Sequence, residues 1–196
     1  MKGAGLFVLG ALCGIAAMMM MPKALAHLYQ AAHGGHSNAI PENGTRVHTE
    51  EKFTFVARGT LDQVAPLFGA EKERVWAVDW NPQFVHPHPA ADEQGMVFAV
   101  DRHESHEMWV NTEFDVKNGR INYVYVIPEA LVTVITLRLT PQRENTSVDV
   151  KYERTSLSQE TDEHVQHMAE GDRSAGANWE KSVNAYLAKP NTQAEQ

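Results

Sequence analysis

Residues 66–82 read PLFGAEKERVWAVDWNP and separate one short strand-like run from about five later ones. Thr60 and Gln63 occupy capping-box positions, so a short helix is expected to begin there and to end near Gly69. A second short helix is expected over 71–77. Two short helices between a first strand and a series of later strands predict a curved sheet that surrounds a helix.

Alternation of apolar and polar residues predicts the strands, because successive side chains of a strand point to opposite faces. The Asn118-Gly119 pair between two of them fits a type I′ hairpin turn, in which both central residues have positive φ. Prolines interrupt residues 80–92, so that segment is expected to be a loop. The predicted strands are 53–57, 96–103, 107–115, 120–127, 131–140 and 147–154.

The C-terminal part of the chain predicts one long amphipathic helix. Ala175, Trp179 and Val183 recur every four residues and form an apolar stripe that should pack against the sheet. The helix is expected to begin as early as Thr161 and to end before Pro190. We therefore predict an α+β fold, in which a curved antiparallel sheet of about six strands wraps around a long C-terminal helix.

Length and charge indicate one domain and exclude one class of partner. The chain has 196 residues, and the folded domain is expected over 52–189, with a disordered tail over 190–196. Its 17 basic residues are scattered among 25 acidic ones, and the net charge is -8. Binding to nucleic acid requires clustered positive charge, so we expect no nucleic-acid partner. We also expect no cofactor.

Residues 1–26 predict a signal peptide or an N-terminal membrane anchor. An uninterrupted run of apolar or small residues covers 3–21, and the Ala-Leu-Ala triplet at 24–26 has the small residues that signal peptidase recognises. The run is nearly long enough to span a membrane, so both alternatives stay open. Either one makes the domain exported, periplasmic or cell-envelope, or anchored in the inner membrane, beyond a flexible His/Gly-rich linker over 27–51. The only cysteine is Cys13, which excludes a disulfide framework.

The order of elements resembles the helix-grip fold of the SRPBCC superfamily, which includes START lipid-binding domains and polyketide cyclases. Four stretches carry this resemblance and are similar to a bacterial branch of polyketide cyclase/dehydrase-like proteins. The resemblance implies an apolar cavity between sheet and helix for a lipid, sterol, polyketide or similar molecule, and it supplies no catalytic residue. The stretches are PLFGAEKERVWAVDWNPQF at 66–84, WVNTEFD at 109–115, NGRINYVYVIP at 118–128 and WEKSVNAYL at 179–187.

Large apolar side chains are expected to line such a cavity, since they bury an apolar ligand and Tyr or Trp adds a polar tip. The leading hypothesis is a binding protein that holds a hydrophobic small molecule or lipid without transforming it. One alternative is a cyclase or aromatase-like enzyme, and another is a cell-envelope interaction module with a filled interior. The residues predicted to contact a ligand are Trp80, Phe84, Phe98, Trp109, Tyr123, Tyr125, Met168 and Trp179.

Three residues are candidates for moving protons if the domain is an enzyme. Strand alternation places Glu113 on one face with Trp109, and a cavity-facing carboxyl there would have a raised pKa. Facing solvent, Glu113 would instead be a cross-strand charge near Lys117 or Arg138. The other candidates, Tyr123 and Tyr125, share one face of the next strand.

Two pairs of histidines flank one predicted strand and are candidate zinc ligands. Glu104 or Glu107 would supply a carboxylate, a ligand set that zinc accepts. Histidines in polar turns are more often simply exposed, so the sequence favours no metal site. The four histidines are His86, His88, His103 and His106.

Overall fold

A single antiparallel sheet of seven strands dominates the structure, a computed structural model that describes residues 45–102 and 105–189. The sheet has the order β1-β7-β6-β5-β4-β3-β2. Strands β2 to β7 follow one another as a meander, and β1 pairs with β7 at the opposite edge. The strands are β1 His48–Ala57, β2 Gln83–His86, β3 Val97–Arg102, β4 Ser105–Asp115, β5 Arg120–Ile127, β6 Leu131–Gln142 and β7 Asn145–Ser156.

Short helices connect β1 to β2. An α-helix, α1, covers Leu61–Val64, and 3-10 helices cover Ala65–Phe68 and Lys72–Val75. The backbone N–H of Thr60 donates to the side chain of Gln63 at 3.0 Å, as the capping-box pattern predicts. The two short helices expected from residues 60–77 are therefore present.

The C-terminal helix consists of α2, Asp162–Ser174, and α3, Gly176–Leu187, joined at Ala175. Its apolar side rests on the sheet, and Val165, Trp179 and Val183 are buried there. Gly176 lets the helix approach β1 closely, because a Cβ at this position would lie 3.1 Å from the Phe53 ring. The early helix start predicted from the sequence is confirmed.

Three details of the sheet differ from the prediction. Residues 83–86, expected within a loop, form β2, because pairing with β3 satisfies their backbone despite the flanking prolines. Strand β1 begins at His48 and so takes in residues 48–51, which were assigned to the linker. The 118–119 turn is not type I′: a 3-10 turn over Val116–Asn118 precedes Gly119, which alone has a positive φ, of 65°.

None of the helices within the described ranges is both long and apolar enough to cross a membrane. Residues 1–26, predicted as a signal peptide or anchor, lie outside those ranges, as do most of the linker and the 190–196 tail.

Replacing Gly119 with alanine is expected to lower the free energy of unfolding by about 2 kcal/mol. Its φ is positive, and a Cβ would lie 2.2 Å from the backbone oxygen of Leu139, which cannot move without disturbing the β5–β6 region. Gly95→Ala is the matched control, because φ is 86° there and no atom lies within 4 Å of the added Cβ. Urea denaturation measures both. Equal losses in the two variants would show that the close approach to Leu139 has no energetic consequence.

Candidate functional site

Aromatic side chains fill the space between the sheet and the C-terminal helix. Trp179 lies at their centre, 5.5 Å from Phe53, 6.1 Å from Phe68 and 5.4 Å from Trp76 between ring centroids. A second group stacks along the sheet, where Trp109 lies 4.4 Å from Tyr125. These separations are those of rings in direct contact, so the aromatic residues pack on one another.

A small cavity of about 20 Å³ remains between the two groups. That volume is enough for about one water molecule. The cavity is therefore far smaller than the ligand-sized space that the resemblance implied. Its wall is almost entirely apolar and is formed by Glu73, Trp80, Phe98, Trp109, Tyr123, Ile135, Leu137, Tyr152 and Trp179.

Glu73 is the one acidic residue on the cavity wall, and the short 3-10 helix Lys72–Val75 carries it there. The N-terminal end of this helix is held by Asp92, whose carboxylate accepts from the backbone N–H of Glu71 at 2.8 Å and of Lys72 at 3.2 Å. Gly69 makes room for this cap, since a Cβ there would lie 2.3 Å from the Asp92 carboxyl carbon. The cap fixes the turn that aims Glu73 inward.

The environment of Glu73 favours a protonated carboxyl group. Burial raises the pKa of Glu73 well above its ordinary value, and the nearby Asp92 carboxylate raises it further. Arg102 acts in the opposite direction, but its Nε donates to Glu107 at 3.0 Å. When it is protonated, the Glu73 carboxyl is able both to donate and to accept a hydrogen bond.

The cavity wall also includes an indole whose polar atom has no partner. Trp76 and Trp80 donate from Nε1 to the backbone oxygens of Leu67 and Ala70, both at 2.7 Å. In contrast, Nε1 of Trp179 is buried and has no hydrogen-bond partner within the part of the chain that the structure describes. A buried donor without a partner lowers the stability of the fold by about 1–3 kcal/mol, so such donors are few in folded proteins and the one on Trp179 is unusual.

A buried ion pair joins the helix to the sheet next to this region. Arg154 on β7 donates to both carboxylate oxygens of Asp172 on α2, at 2.7 and 2.8 Å. It also donates to Thr133 at 2.9 Å and to the Tyr125 hydroxyl. The guanidinium lies 4.7 Å from the centre of the Tyr152 ring. Arg154 therefore links α2 to three strands.

Comparison with solved structures identifies the architecture. Truncated norcoclaurine synthase from Thalictrum flavum superposes with a TM-score of 0.58 over 76% of this chain and 99% of that chain, at 8% identity. Mll3558 from Rhizobium loti gives 0.54 over 74% and 100%, at 17% identity. Ara h 8.0201 gives 0.51 over 72% and 98%, at 9% identity. The domain has the helix-grip fold that these structures share.

This likeness concerns the fold alone, because the identities are low. No protein-family model matches the sequence, and no curated protein is significantly similar to it. The helix-grip fold and the SRPBCC resemblance predicted from the sequence are confirmed.

Five of the eight residues predicted to contact a ligand lie on the wall of the small cavity. They are Trp80, Phe98, Trp109, Tyr123 and Trp179. Phe84 packs beside the core near Arg74, and Met168 is a buried residue of α2. Tyr125 lies beneath Trp109 and accepts from Arg154. The four wall residues that the sequence analysis did not identify are Glu73, Ile135, Leu137 and Tyr152.

Glu113 does not face the helix-grip cavity. A β-bulge between Asn111 and Glu113 breaks the alternation, so Glu113 pairs with Asn122 and lies on the outer face of the sheet. There its carboxylate lies 3.2 Å from Arg120 and 3.4 Å from Arg138. The solvent-facing alternative, a cross-strand charge near Arg138, describes its position.

The histidines considered as metal ligands are not assembled into a site in the described ranges, where no three His, Cys, Asp or Glu side chains are grouped to hold a metal ion. His106 lies 2.6 Å from Asp101 through its Nδ1. Glu107 is buried and accepts from Arg102 and Trp109. Of the other candidate ligands, His103 and Glu104 lie outside the described residues, whereas His86 and His88 lie within them.

The variant Glu73→Gln is expected to be more stable than the wild type at pH 8 but not at pH 4. Because the folded pKa of Glu73 is raised, its contribution to stability is fully present below the unfolded pKa of about 4.3 and is lost as pH rises through the folded pKa. The difference should grow by up to about 1.4 kcal/mol per pH unit in that window. Burial also raises the pKa of Asp92. Asp92 is present in the wild type and in Glu73→Gln, so its titration affects the stability of both in the same direction.

Urea denaturation between pH 4 and 8 measures this difference. Glu144→Gln, at an exposed position, is the matched control and should follow the wild-type curve. Parallel curves for wild type and Glu73→Gln would contradict a protonated Glu73 in the folded protein.

Proposed function

We propose that this domain binds a small hydrophobic molecule between the sheet and the C-terminal helices and does not transform it. One observation carries the proposal: an acidic residue, Glu73, lines an otherwise apolar cavity beside Trp179, whose buried indole N–H has no partner within the described residues. Burying such groups without good partners reduces stability, so a structural role does not explain them. A ligand with a polar group would form a hydrogen bond with Glu73 at the cavity wall.

The cavity has to widen for such a ligand, because its volume of about 20 Å³ holds only about one water molecule. The helix is interrupted at Ala175, between α2 and α3, and in this proposal the movement occurs at that joint. Asp172 fixes α2 to Arg154 on one side of the joint, while Trp179 lies on α3 on the other side. A displacement of α3 would therefore open the cavity and leave the buried ion pair intact.

Apolar burial supplies the binding energy in this proposal. At about 25 cal/mol per Å², each 100 Å² of apolar surface removed from water contributes about 2.5 kcal/mol. The polar residues of the cavity wall orient the ligand and contribute less to the affinity than apolar burial does. The apolar run over 3–21 supports an exported or membrane-tethered location for the domain, and the ligand would then be met outside the cytoplasm.

A fluorescence titration of the full chain with N-phenyl-1-naphthylamine, an uncharged apolar probe, tests the proposal. We expect saturable binding at one site. Ile135→Phe enlarges a side chain of the cavity wall and should weaken binding at least about tenfold, a change of 1.4 kcal/mol. Val134→Phe is the matched control, because Val134 precedes it on the same strand and faces the other side of the sheet.

Equal probe binding by wild type and both variants would place the probe elsewhere and contradict the proposal. Absence of saturable binding would also contradict it, and it would favour the hypothesis of an interaction module with a filled interior. Circular dichroism confirms that the two variants are folded before they are compared.

Proton-transfer catalysis is a second candidate, in line with the cyclase-like alternative. The raised pKa of Glu73 favours it, since burial and the Asp92 carboxylate bring the carboxyl closer to the range of a general acid or base. Tyr123 lies on the same wall, but its hydroxyl donates to the backbone oxygen of Phe68 at 2.9 Å. Glu73→Gln distinguishes the two roles, because it would abolish turnover while leaving uncharged apolar ligands able to bind.

A further inference from the structure

We infer that the outer face of the sheet binds a second copy of this chain, so that two domains pair face to face in a symmetric dimer. The inference goes beyond the proposed function and does not depend on it, because the small cavity lies on the inner face of the sheet. It rests on a group of apolar side chains on three neighbouring strands, which we call the outer apolar array. The outer apolar array consists of Met108, Val110, Val124, Val126, Val132 and Val134.

Strand pairing arranges the outer apolar array as two rows across β4, β5 and β6. Val110 lies opposite Val124, and Val124 lies opposite Val134. The other three residues form the second row in the same way. Because side chains alternate along a strand, these residues point away from the face that carries Trp109. All six are partly exposed, and Val97 on β3 extends the first row.

Strands that are apolar on both faces are unusual next to water. An antiparallel sheet with one solvated face normally alternates apolar and polar residues, whereas continuous apolar runs are typical of strands covered on both faces. Residues 123–127 read YVYVI, and residues 131–135 read LVTVI. The neighbouring strand β7 has the usual pattern, with Asp149, Lys151 and Glu153 on its outer face. The surface suited to a partner is therefore local and centred on β5.

A membrane surface is a poor match for the outer apolar array. Protein surfaces that lie on membranes carry Trp or Tyr at their edge, and Lys or Arg that reach the lipid head groups. The Trp and Tyr side chains of β3 to β7 are instead all buried. The array therefore lacks the aromatic anchors of a membrane-binding surface among the described strands.

The charged border of the array matches a second copy. Arg120 and Arg138 lie 3.2 and 3.4 Å from Glu113. Lys151 lies 2.7 Å from Glu153. A border that carries paired charges of both signs selects no strongly charged partner, and it lets two identical surfaces meet without repulsion between like charges. The centre of the array is uncharged, so pairing would bury no unpaired ion there.

The array and its border are large enough for a reversible dimer. The five strands β3 to β7 span about 24 Å at the usual strand spacing, and up to four outward residues along a strand span about 27 Å. This footprint of about 650 Å² on each copy gives about 1,300 Å² for the pair, near the lower limit for specific interfaces. Two such sheets would pack about 10 Å apart, as the sheets of a β-sandwich do.

Sedimentation equilibrium of the full chain over a range of concentrations tests the inference. We expect a reversible dimer in the wild type. Val110→Glu puts a carboxylate into the first row, and two-fold symmetry puts it there in both copies, so the dissociation constant should rise at least about tenfold. Val56→Glu is the matched control and should leave the dimer unchanged. Val56 lies on β1 outside the array and is 37% exposed, compared with 36% for Val110.

Cross-linking by a short bis-maleimide gives a second readout that introduces no charge. Cys13→Ser removes the only cysteine, and Val124→Cys then places a thiol on the central strand of the array. In a two-fold dimer a residue near the axis meets its own copy, so this variant should form covalent dimers. Val56→Cys in the same background should not. If Val110→Glu proves unfolded by circular dichroism, the cross-linking result decides.

The alternative occupants of the array give different results. A dimer that Val110→Glu weakens and Val56→Glu does not supports the inference. A chain that stays monomeric up to about 100 μM would overturn it. A dimer that Val110→Glu leaves intact would also overturn it, because the contact would then lie elsewhere, such as in the apolar run over 3–21. Monomers that bind phosphatidylcholine vesicles only while Val110 is present would assign the array to a membrane and overturn the inference.

Discussion

Replacing Asp172 with alanine is expected to lower the free energy of unfolding by about 3–5 kcal/mol. The change leaves the Arg154 guanidinium, which is 4% exposed, without its counter-ion in the core. Thr133 and Tyr125 accept hydrogen bonds from it but carry no charge at neutral pH. The loss is large because a buried charge without a partner has neither water nor an anion to stabilise it.

Chemical denaturation measures this effect against two further variants. Glu51→Ala removes an ion pair with Arg173, which is 64% exposed, so it should cost less than about 1 kcal/mol. The double variant Arg154→Met, Asp172→Leu should recover most of the loss, because apolar side chains of similar size carry no desolvation penalty. A loss below about 1 kcal/mol in Asp172→Ala would show that the ion pair does not hold α2 to the sheet.

Trp179→Ala is expected to destabilise the fold by a similar amount, about 3–5 kcal/mol. Trp179 is 2% exposed and contacts aromatic rings from β1 and from the segment after α1. Truncation removes these contacts and merges the indole volume with the existing cavity. The surrounding rings come from separate elements and are able to collapse only partly into the space, so the cavity term remains.

Tyr186→Ala is the matched control for this truncation. Tyr186 lies on the same helix but only packs against the edge of the core, so its loss should be about 1 kcal/mol. Added indole should raise the melting temperature of Trp179→Ala by occupying the enlarged cavity, and it should not affect Tyr186→Ala. Similar losses in the two variants would contradict the central position of Trp179 in the core.

The sequence was sufficient for the architecture because the elements other than β2 have local signals. The capping box at Thr60 and the four-residue spacing of Ala175, Trp179 and Val183 reflect contacts that any such helix has to make. Strand β2 escaped prediction for the opposite reason. It has four residues between prolines, and only its pairing with β3 makes it a strand.

The candidate site was less accessible from the sequence, because burial of a charged residue depends on tertiary packing. Glu73 stands in the charged run at 71–74, which is typical of a solvated helix. One local signal was available: Trp76 and Ala77 lie three and four positions further on, and both are buried. Strand alternation alone left the face of Glu113 open, because a bulge shifts the alternation by one residue and no residue in the strand marks it.

Nuclear magnetic resonance of the four tryptophan indole N–H groups tests the central claim most directly. Single Trp→Phe variants assign the signals, and the full chain is then titrated with N-phenyl-1-naphthylamine. We predict that the signals of Trp80, Trp109 and Trp179 shift together and saturate with the fluorescence, since all three line the cavity. Saturable probe binding that leaves these three signals unchanged would place the ligand outside the space between sheet and helix and would contradict the account.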